Sequence, residues 1–248
     1  GEGYQPDPNG DTRITNHPVR ADRAMNRRIL YDLAGEDETF RFSPYCWRIK
    51  LALAHKNLSY ETLPWRFTDK DAIAFSGQDK VPVLIDGTRE IAGSQSIAGY
   101  LEAQYPNGPS LFGDPPGQGL TNFVRAWSED VLHRAIGWVV VPEILPRLHP
   151  KDRDYFQTSR EAAYKSSFKD ITAAREKNVA TLHKTLSPLR RVLGEQDFVS
   201  GAAPAYADHI IFGALQWGRM VAAKPLLEGE TRIEAWMDAV LNAYGLEI

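Results

Sequence analysis

The 248-residue chain has one cysteine, Cys46. No disulfide can close within it, and a reducing, cytoplasmic setting is the expectation. A charge excess is also missing. Twenty-nine Lys and Arg against 32 Asp and Glu leave a formal net charge of −3, without the basic footprint that nucleic acid or an anionic membrane surface selects. No apolar run approaches the roughly 20 residues that a membrane-spanning helix needs. The six histidines are scattered without metal-ligand spacing, so no metal is expected. No glycine-rich phosphate loop is present, and no Ser/His/Asp order stands out. What remains is a globular chain of ordinary composition, 43% hydrophobic and 25% charged.

The chain is organised in two parts. Residues 1–24 are polar and rich in turn formers, without the apolar segment of a secretory signal, and read as a flexible or surface-laid leader. Met25 is either a natural start, with an extension before it, or the end of a native arm. Residues 25–105 form the first domain. Strand patterns at 29–33, 60–64, 81–85 and 90–92 alternate with helical ones at 44–56, 70–75 and 94–105, and Ser94 is the expected cap of the last. The order βαβαββα argues a small mixed sheet flanked by helices. Residues 106–118 are rich in proline and glycine and mark a linker.

Residues 119–248 lack strand alternation and read as all-α. Leu120, Val124, Trp127, Val131, Ala135 and Trp138 repeat at helical spacing and predict one face of a long helix, to be bent or ended by Pro142, Pro146 and Pro150. Further helices are expected over 168–193 (bent near Pro188), over 208–220 and around 233–241. The charged run 165–177 reads as a solvated helix face.

The stretch Phe42-Ser43-Pro44-Tyr45-Cys46-Trp47 sits where a strand passes into a helix, with Pro44 suited to the first helical position. Ser43 can simply cap that helix. That is the plainer local reading; Ser43 can also stand beside a bound anion, because free N–H groups and the positive end of the helix dipole meet there.

Three features in this order, followed by an all-helical domain, resemble the glutathione transferase family over roughly residues 28–243: Ser43-Pro44-Tyr45-Cys46, Val81-Pro82, and Ser94 with Ile97, Tyr100 and Leu101. The first is similar to the Cys-Pro-Tyr-Cys site of glutaredoxins, with serine for the first cysteine. The resemblance implies a thioredoxin-like first domain. It implies glutathione as co-substrate, bound by Ser43, Lys80, Val81, Pro82, Ser94 and Gln95. Ser43 would be catalytic, donating a hydrogen bond that favours the glutathione thiolate. Such an enzyme serves detoxification, and a homodimer is the family's habit.

Cys46, without a partner, reads as a packed side chain or, less simply, a nucleophile. The proline of Val81-Pro82 is cis in the family; the plain alternative is an edge-strand proline. The family's acidic residue before the serine is replaced here by Gly93, which removes a partner for the ligand ammonium; Glu90 or a partner subunit would have to fill its place. In the second domain Ala205-Tyr206-Ala207-Asp208 is similar to the family's Ser/Thr-x-x-Asp capping box, with alanine where the hydroxyl would be.

Around the serine site, and in Lys151-Asp152-Arg153-Asp154-Tyr155-Phe156, the chain looks like bacterial lignin β-etherases and related fungal transferases. Those enzymes displace an aryl ether oxygen with the glutathione thiolate. A hydrophobic or aromatic substrate would then lie among Tyr45, Trp127, His133 and Trp138, unless that aromatic stripe is simply core. The alternative from another class is a non-catalytic hydrophobic-ligand-binding protein on the same fold.

Overall fold

A computed structural model describes residues 27–247; the leader and Met25 lie outside the described residues. Strand β1 (Arg28–Leu33) leads through the Ser43 loop into helix α1 (Pro44–His55) and strand β2 (Glu61–Trp65). A 3-10 helix (Lys70–Ser76) replaces the second helix of the expected βαβαββα pattern. Strands β3 (Val83–Asp86) and β4 (Arg89–Ala92) form the hairpin foreseen at Asp86-Gly87, with Gly87 at φ +61°, a conformation glycine adopts without strain. Helix α2 (Ser94–Gln104) closes the domain. The sheet order is β2-β1-β3-β4, with β1 parallel to β2 and antiparallel to β3. This is the thioredoxin-like arrangement.

The second domain is all-helical and begins inside the stretch read as linker. Helix α3 (Pro115–Trp127) starts with Asp114 as cap, accepting from the Gly117 N–H at 2.8 Å, and with prolines in its first turn. A π-helical turn, Ser128–Leu132, joins α3 to α4 (His133–Ile144). That turn overturns the continuous apolar face expected from Leu120 to Trp138. It shifts the register by part of a turn, so Leu120 is 68% and Val131 44% exposed while Ala135 is buried.

Helix α5 (Pro150–Tyr164) was not legible in the periodicity, and Lys165, at φ +51°, ends it. The helix expected over 168–193 is three: α6 (Phe168–Ala173), α7 (Arg175–Thr185) and α8 (Ser187–Glu195). The run 165–177 therefore crosses two helix ends instead of forming one face. Helices α9 (Tyr206–Val221) and α10 (Thr231–Ala243) complete the chain.

The two domains share their core. Trp47 and Leu51 of α1 pack in one cluster with Phe212 of α9 and Trp236 of α10; Leu30, Ile49 and Ile97 share a second with Tyr206 and Ile210. Gly213 permits the closest approach, since a Cβ there would fall 2.4 Å from the Pro44 carbonyl oxygen at the start of α1.

A hydrogen-bonded chain through half-buried His55 and Tyr244 and buried His209 fastens the same junction. The Ser110 carbonyl can only accept, so His55 Nε2 carries a proton at 2.9 Å and His55 Nδ1 accepts from the Tyr244 hydroxyl at 2.8 Å. That hydroxyl in turn accepts from His209 Nε2 at 2.7 Å. Burial lowers both histidine pKa values from the ordinary 6.5, with each other's neighbourhood acting the same way on His209. The sign follows. As pH falls through 6.5 the unfolded chain takes up protons that the folded one refuses, so stability is full above that value and is lost below it. The urea midpoint is expected to fall between about pH 7.5 and about pH 5. Tyr244→Phe is expected to cost about 1–3 kcal/mol at the higher pH, because His209 Nε2 loses its acceptor. A midpoint insensitive to pH would show that the chain does not control stability.

Candidate functional site

The sheet register brings the three sequence motifs to one end. Tyr31 of β1 pairs with Val83 of β3, and Val83 with Ala92 of β4, so the exit of β1, the entry to β3 and the exit of β4 are neighbours. Ser43, Val81-Pro82 and Ser94 follow from those ends. The Val81–Pro82 peptide is cis, and the Pro82 carbonyl accepts from Gly93 N–H at 3.0 Å. Val81 precedes the ladder, which leaves its N–H and C=O outside strand pairing.

Ser43 is buried and caps α1, its Oγ accepting from Cys46 N–H at 3.2 Å. The cap and a catalytic role are compatible in one hydroxyl. Accepting uses a lone pair of the hydroxyl, and its proton remains to be donated. An N–H pointing at Oγ also polarises the O–H for that donation. Cys46 is fully buried; burial first, and then the Asp32 carboxylate, push its thiol well above the ordinary cysteine range. It is a packed side chain without thiolate character.

Ser94 is not the cap of α2. Gly93 holds that position at φ +87° and supplies no side-chain hydrogen bond, so the first-turn N–H groups have no local side-chain cap. Ser94 is buried, and its carbonyl accepts from the Tyr206 hydroxyl of α9 at 3.2 Å. Gln95 is exposed.

A cavity of about 650 Å³ opens between the domains beside Ser43. Of the residues named from sequence, Ser43, Tyr45, Lys80, Val81, His133 and Trp138 line it. Pro82, Ser94 and Gln95 stand outside that lining. Trp127 stands outside it as well. It ends α3 before the π turn and packs against the core.

Sequence reasoning missed the polar floor. Arg48 lies on the buried face of α1 with no exposure; its Nη1 donates to Glu129 Oε1 at 2.8 Å. Glu129, presented by the π turn, also pairs with Arg125 at 3.2 Å. The Arg48 guanidinium stands 4.8 Å from the Tyr45 ring centre, and its Nη2 reaches His133 Nε2 at 3.4 Å. A guanidinium can only donate, so Nε2 accepts and the His133 proton sits on Nδ1. Burial, helped by Arg48, pushes the His133 pKa down to about 3. The ring is therefore a neutral N–H donor. Its Nδ1 makes no hydrogen bond among the described residues, and the residue lines the cavity. An arginine within an apolar helical stretch was the only sequence signal for this network.

Comparison with known proteins follows the domain division. Residues 39–110 match the family model described as glutathione S-transferase, N-terminal domain, and residues 119–245 match glutathione S-transferase, C-terminal domain. A probable glutathione S-transferase of Glycine max is 26% identical over 162 residues, 64% of this chain and 60% of that protein. One of Oryza sativa subsp. japonica is 29% identical over 107 residues, 40% of this chain and 44% of that protein. The chain thus matches less than two thirds of the length of either curated relative.

Among solved structures, a glutathione transferase of Phanerochaete chrysosporium superposes with TM-score 0.78 at 21% identity, covering 89% of this chain and 98% of that one. A glutathione S-transferase of Ceriporiopsis subvermispora in complex with glutathione gives 0.74 at 22%, covering 89% and 97%. At these identities the likeness is one of fold.

Proposed function

The chain belongs to the glutathione S-transferase family, and from that premise we propose that it is a serine-type glutathione transferase acting on a hydrophobic or aromatic electrophile. The observation that carries the reading is Ser43 on the cavity wall, where its Oγ caps α1 and its hydroxyl is within the space a bound thiol would enter. In this reading Ser43 Oγ–H donates to the glutathione sulfur, and the α1 N-terminus adds a favourable field, so the thiolate forms at neutral pH. The Val81 backbone pairs with the cysteinyl part, with Pro82 setting the turn and Lys80 at the rim. The uncapped first turn of α2, with Ser94 and Gln95, receives the γ-glutamyl carboxylate.

The sulfur lone pair then attacks an electrophilic carbon, and the leaving group departs with the bonding pair. His133 Nδ1–H donates to an oxygen on the electrophile as negative charge gathers there. Tyr45 and Trp138 contribute aromatic walls. The sharper form is β-aryl ether cleavage, with the aryloxide as leaving group, supported by the sequence likeness to the etherases.

Calorimetric titration with glutathione, together with conjugation assays on wild type and His133→Ala, tests the reading. Wild type is expected to bind and conjugate. His133→Ala is expected to keep glutathione affinity and lose about tenfold in kcat/KM, the worth of one hydrogen bond to a developing charge. Absence of glutathione binding would overturn it and leave the second reading, a non-catalytic binder of hydrophobic ligands. Gly93 is what favours that alternative, since it offers no acid to the ligand ammonium.

The same reading includes a cytoplasmic homodimer. Leu120 and Phe123 of α3, 68% and 71% exposed, form an apolar face suited to a second copy, and sedimentation at the monomer mass would count against it.

A further inference from the structure

The cavity wall opposite Ser43's loop comes from α5, and its charges are unbalanced. Six ionisable residues with full charges line the cavity: Lys80, Arg134, Arg160, Lys165, Asp79 and Glu129. Both acids are engaged by cations outside the lining, Glu129 by Arg48 and Arg125 and Asp79 by Lys70 at 3.2 Å. None of the four cations forms an ion pair among the described residues.

Arg160 is the most committed of them. Its guanidinium lies 4.8 Å from the Phe156 ring centre and 5.4 Å from that of Phe67, which fixes the plane of the fork against aromatic faces. Its one hydrogen bond runs from Nη1 to Ser159 Oγ at 3.0 Å. Burial disfavours its charge, and only the Tyr155 and Tyr164 hydroxyls act the other way. A partly desolvated guanidinium without a carboxylate is costly to hold in an apolar wall, and a bidentate anion is the ligand that offsets the cost.

We propose that Arg160 makes this cavity selective for aromatic molecules carrying a carboxylate. The ring would lie beside Trp138 and Tyr164, and the carboxylate would meet the Arg160 fork, with Arg134 and Lys165 adding to the field. Calling such a molecule a substrate rests on the transferase reading above; its binding does not. Arg160 is then a specificity-determining residue.

The test separates the two. Quenching of tryptophan fluorescence by para-nitrobenzoate and by its neutral isostere para-nitrobenzamide is titrated without any thiol. Wild type is expected to bind the carboxylate about tenfold more tightly than the amide, the scale of one charge-assisted contact. Arg160→Gln is expected to abolish that preference and leave amide binding unchanged, and Arg160→Lys to keep part of it. With glutathione present, an activated chloroarene carboxylate and its primary amide should show the same preference in KM, with kcat similar.

Equal affinity of the wild-type protein for the two isosteres would overturn the proposal, and that comparison needs no variant to fold. A preference undiminished in a folded Arg160→Gln would overturn it too. Carboxylate preference without any conjugation would overturn the transferase reading and leave the anion site standing.

Discussion

Ser43→Ala is expected to lower kcat/KM for glutathione conjugation by roughly two to three orders of magnitude, the usual loss when one preorganised donor to a developing anion is removed. Two effects are combined in that substitution and have different readouts. Loss of the cap on α1, where Oγ accepts from Cys46 N–H at 3.2 Å, should cost about 1 kcal/mol of stability. Loss of the donated proton should move the apparent pKa of the pH–rate profile upward, toward that of a free thiol near 8.5. A merely structural serine would lower the melting temperature and leave the pH profile in place. Cys46→Ala supplies the control. Its thiol is buried and held protonated, so activity should stay within a few-fold of wild type. Activity that survives Ser43→Ala and vanishes with Cys46→Ala would reverse the assignment in favour of thiol chemistry.

How far the sequence reached depended on whether the information was local. Strand β1, the β3–β4 hairpin at Asp86-Gly87, α9 and α10 each carry their periodicity within one element, and they form where that pattern puts them. The π turn does not. Nothing in Ser128-Glu129-Asp130-Val131-Leu132 marks an extra residue per turn, yet it decides that His133 and Trp138 face the cavity and Trp127 does not. Helix α5 was hidden for another reason. Its buried residues include Asp152, which accepts from the Phe67 and Thr68 N–H groups of the first domain, so its inner face is partly polar.

The same limit applies to the site. Ser43, Tyr45, Lys80 and Val81 were named from motif positions. Arg48 stands out only as a charge in an apolar helix, and Glu129 and Arg160 look like ordinary surface charges, until the fold brings their partners into reach. A buried charge is a relation between distant elements, and spacing along one element does not record it.

Asp208→Ala should be the most destabilising single change among those considered. Asp208 is fully buried in the first turn of α9, and its two oxygens satisfy four donors. Oδ1 accepts from Val199 N–H at 2.7 Å and Trp236 Nε1 at 2.9 Å; Oδ2 accepts from Ser200 N–H at 3.0 Å and Ala205 N–H at 3.2 Å. Each donor left without a partner costs about 1–3 kcal/mol, and because they share one site the total should be about 3–5 kcal/mol. For a chain of this length that corresponds to a fall of roughly 10 °C in melting temperature.

Asn should rescue little. Its amide nitrogen would face N–H groups at one end, so only two of the four bonds can be kept. Ala205 cannot compensate, because the cap position has no side-chain oxygen; Ala205→Ser should instead add about 0.5–1 kcal/mol to wild type. The loss should also reach the site. Helix α9 holds the Ser94 carbonyl through Tyr206, and Gly213 lies against the Pro44 carbonyl beside Ser43, so loosening α9 should disturb both Ser43 and Ser94. Calorimetric melting with glutathione titration reads both effects. A melting temperature within about 3 °C of wild type would mean that water replaces the carboxylate at all four donors.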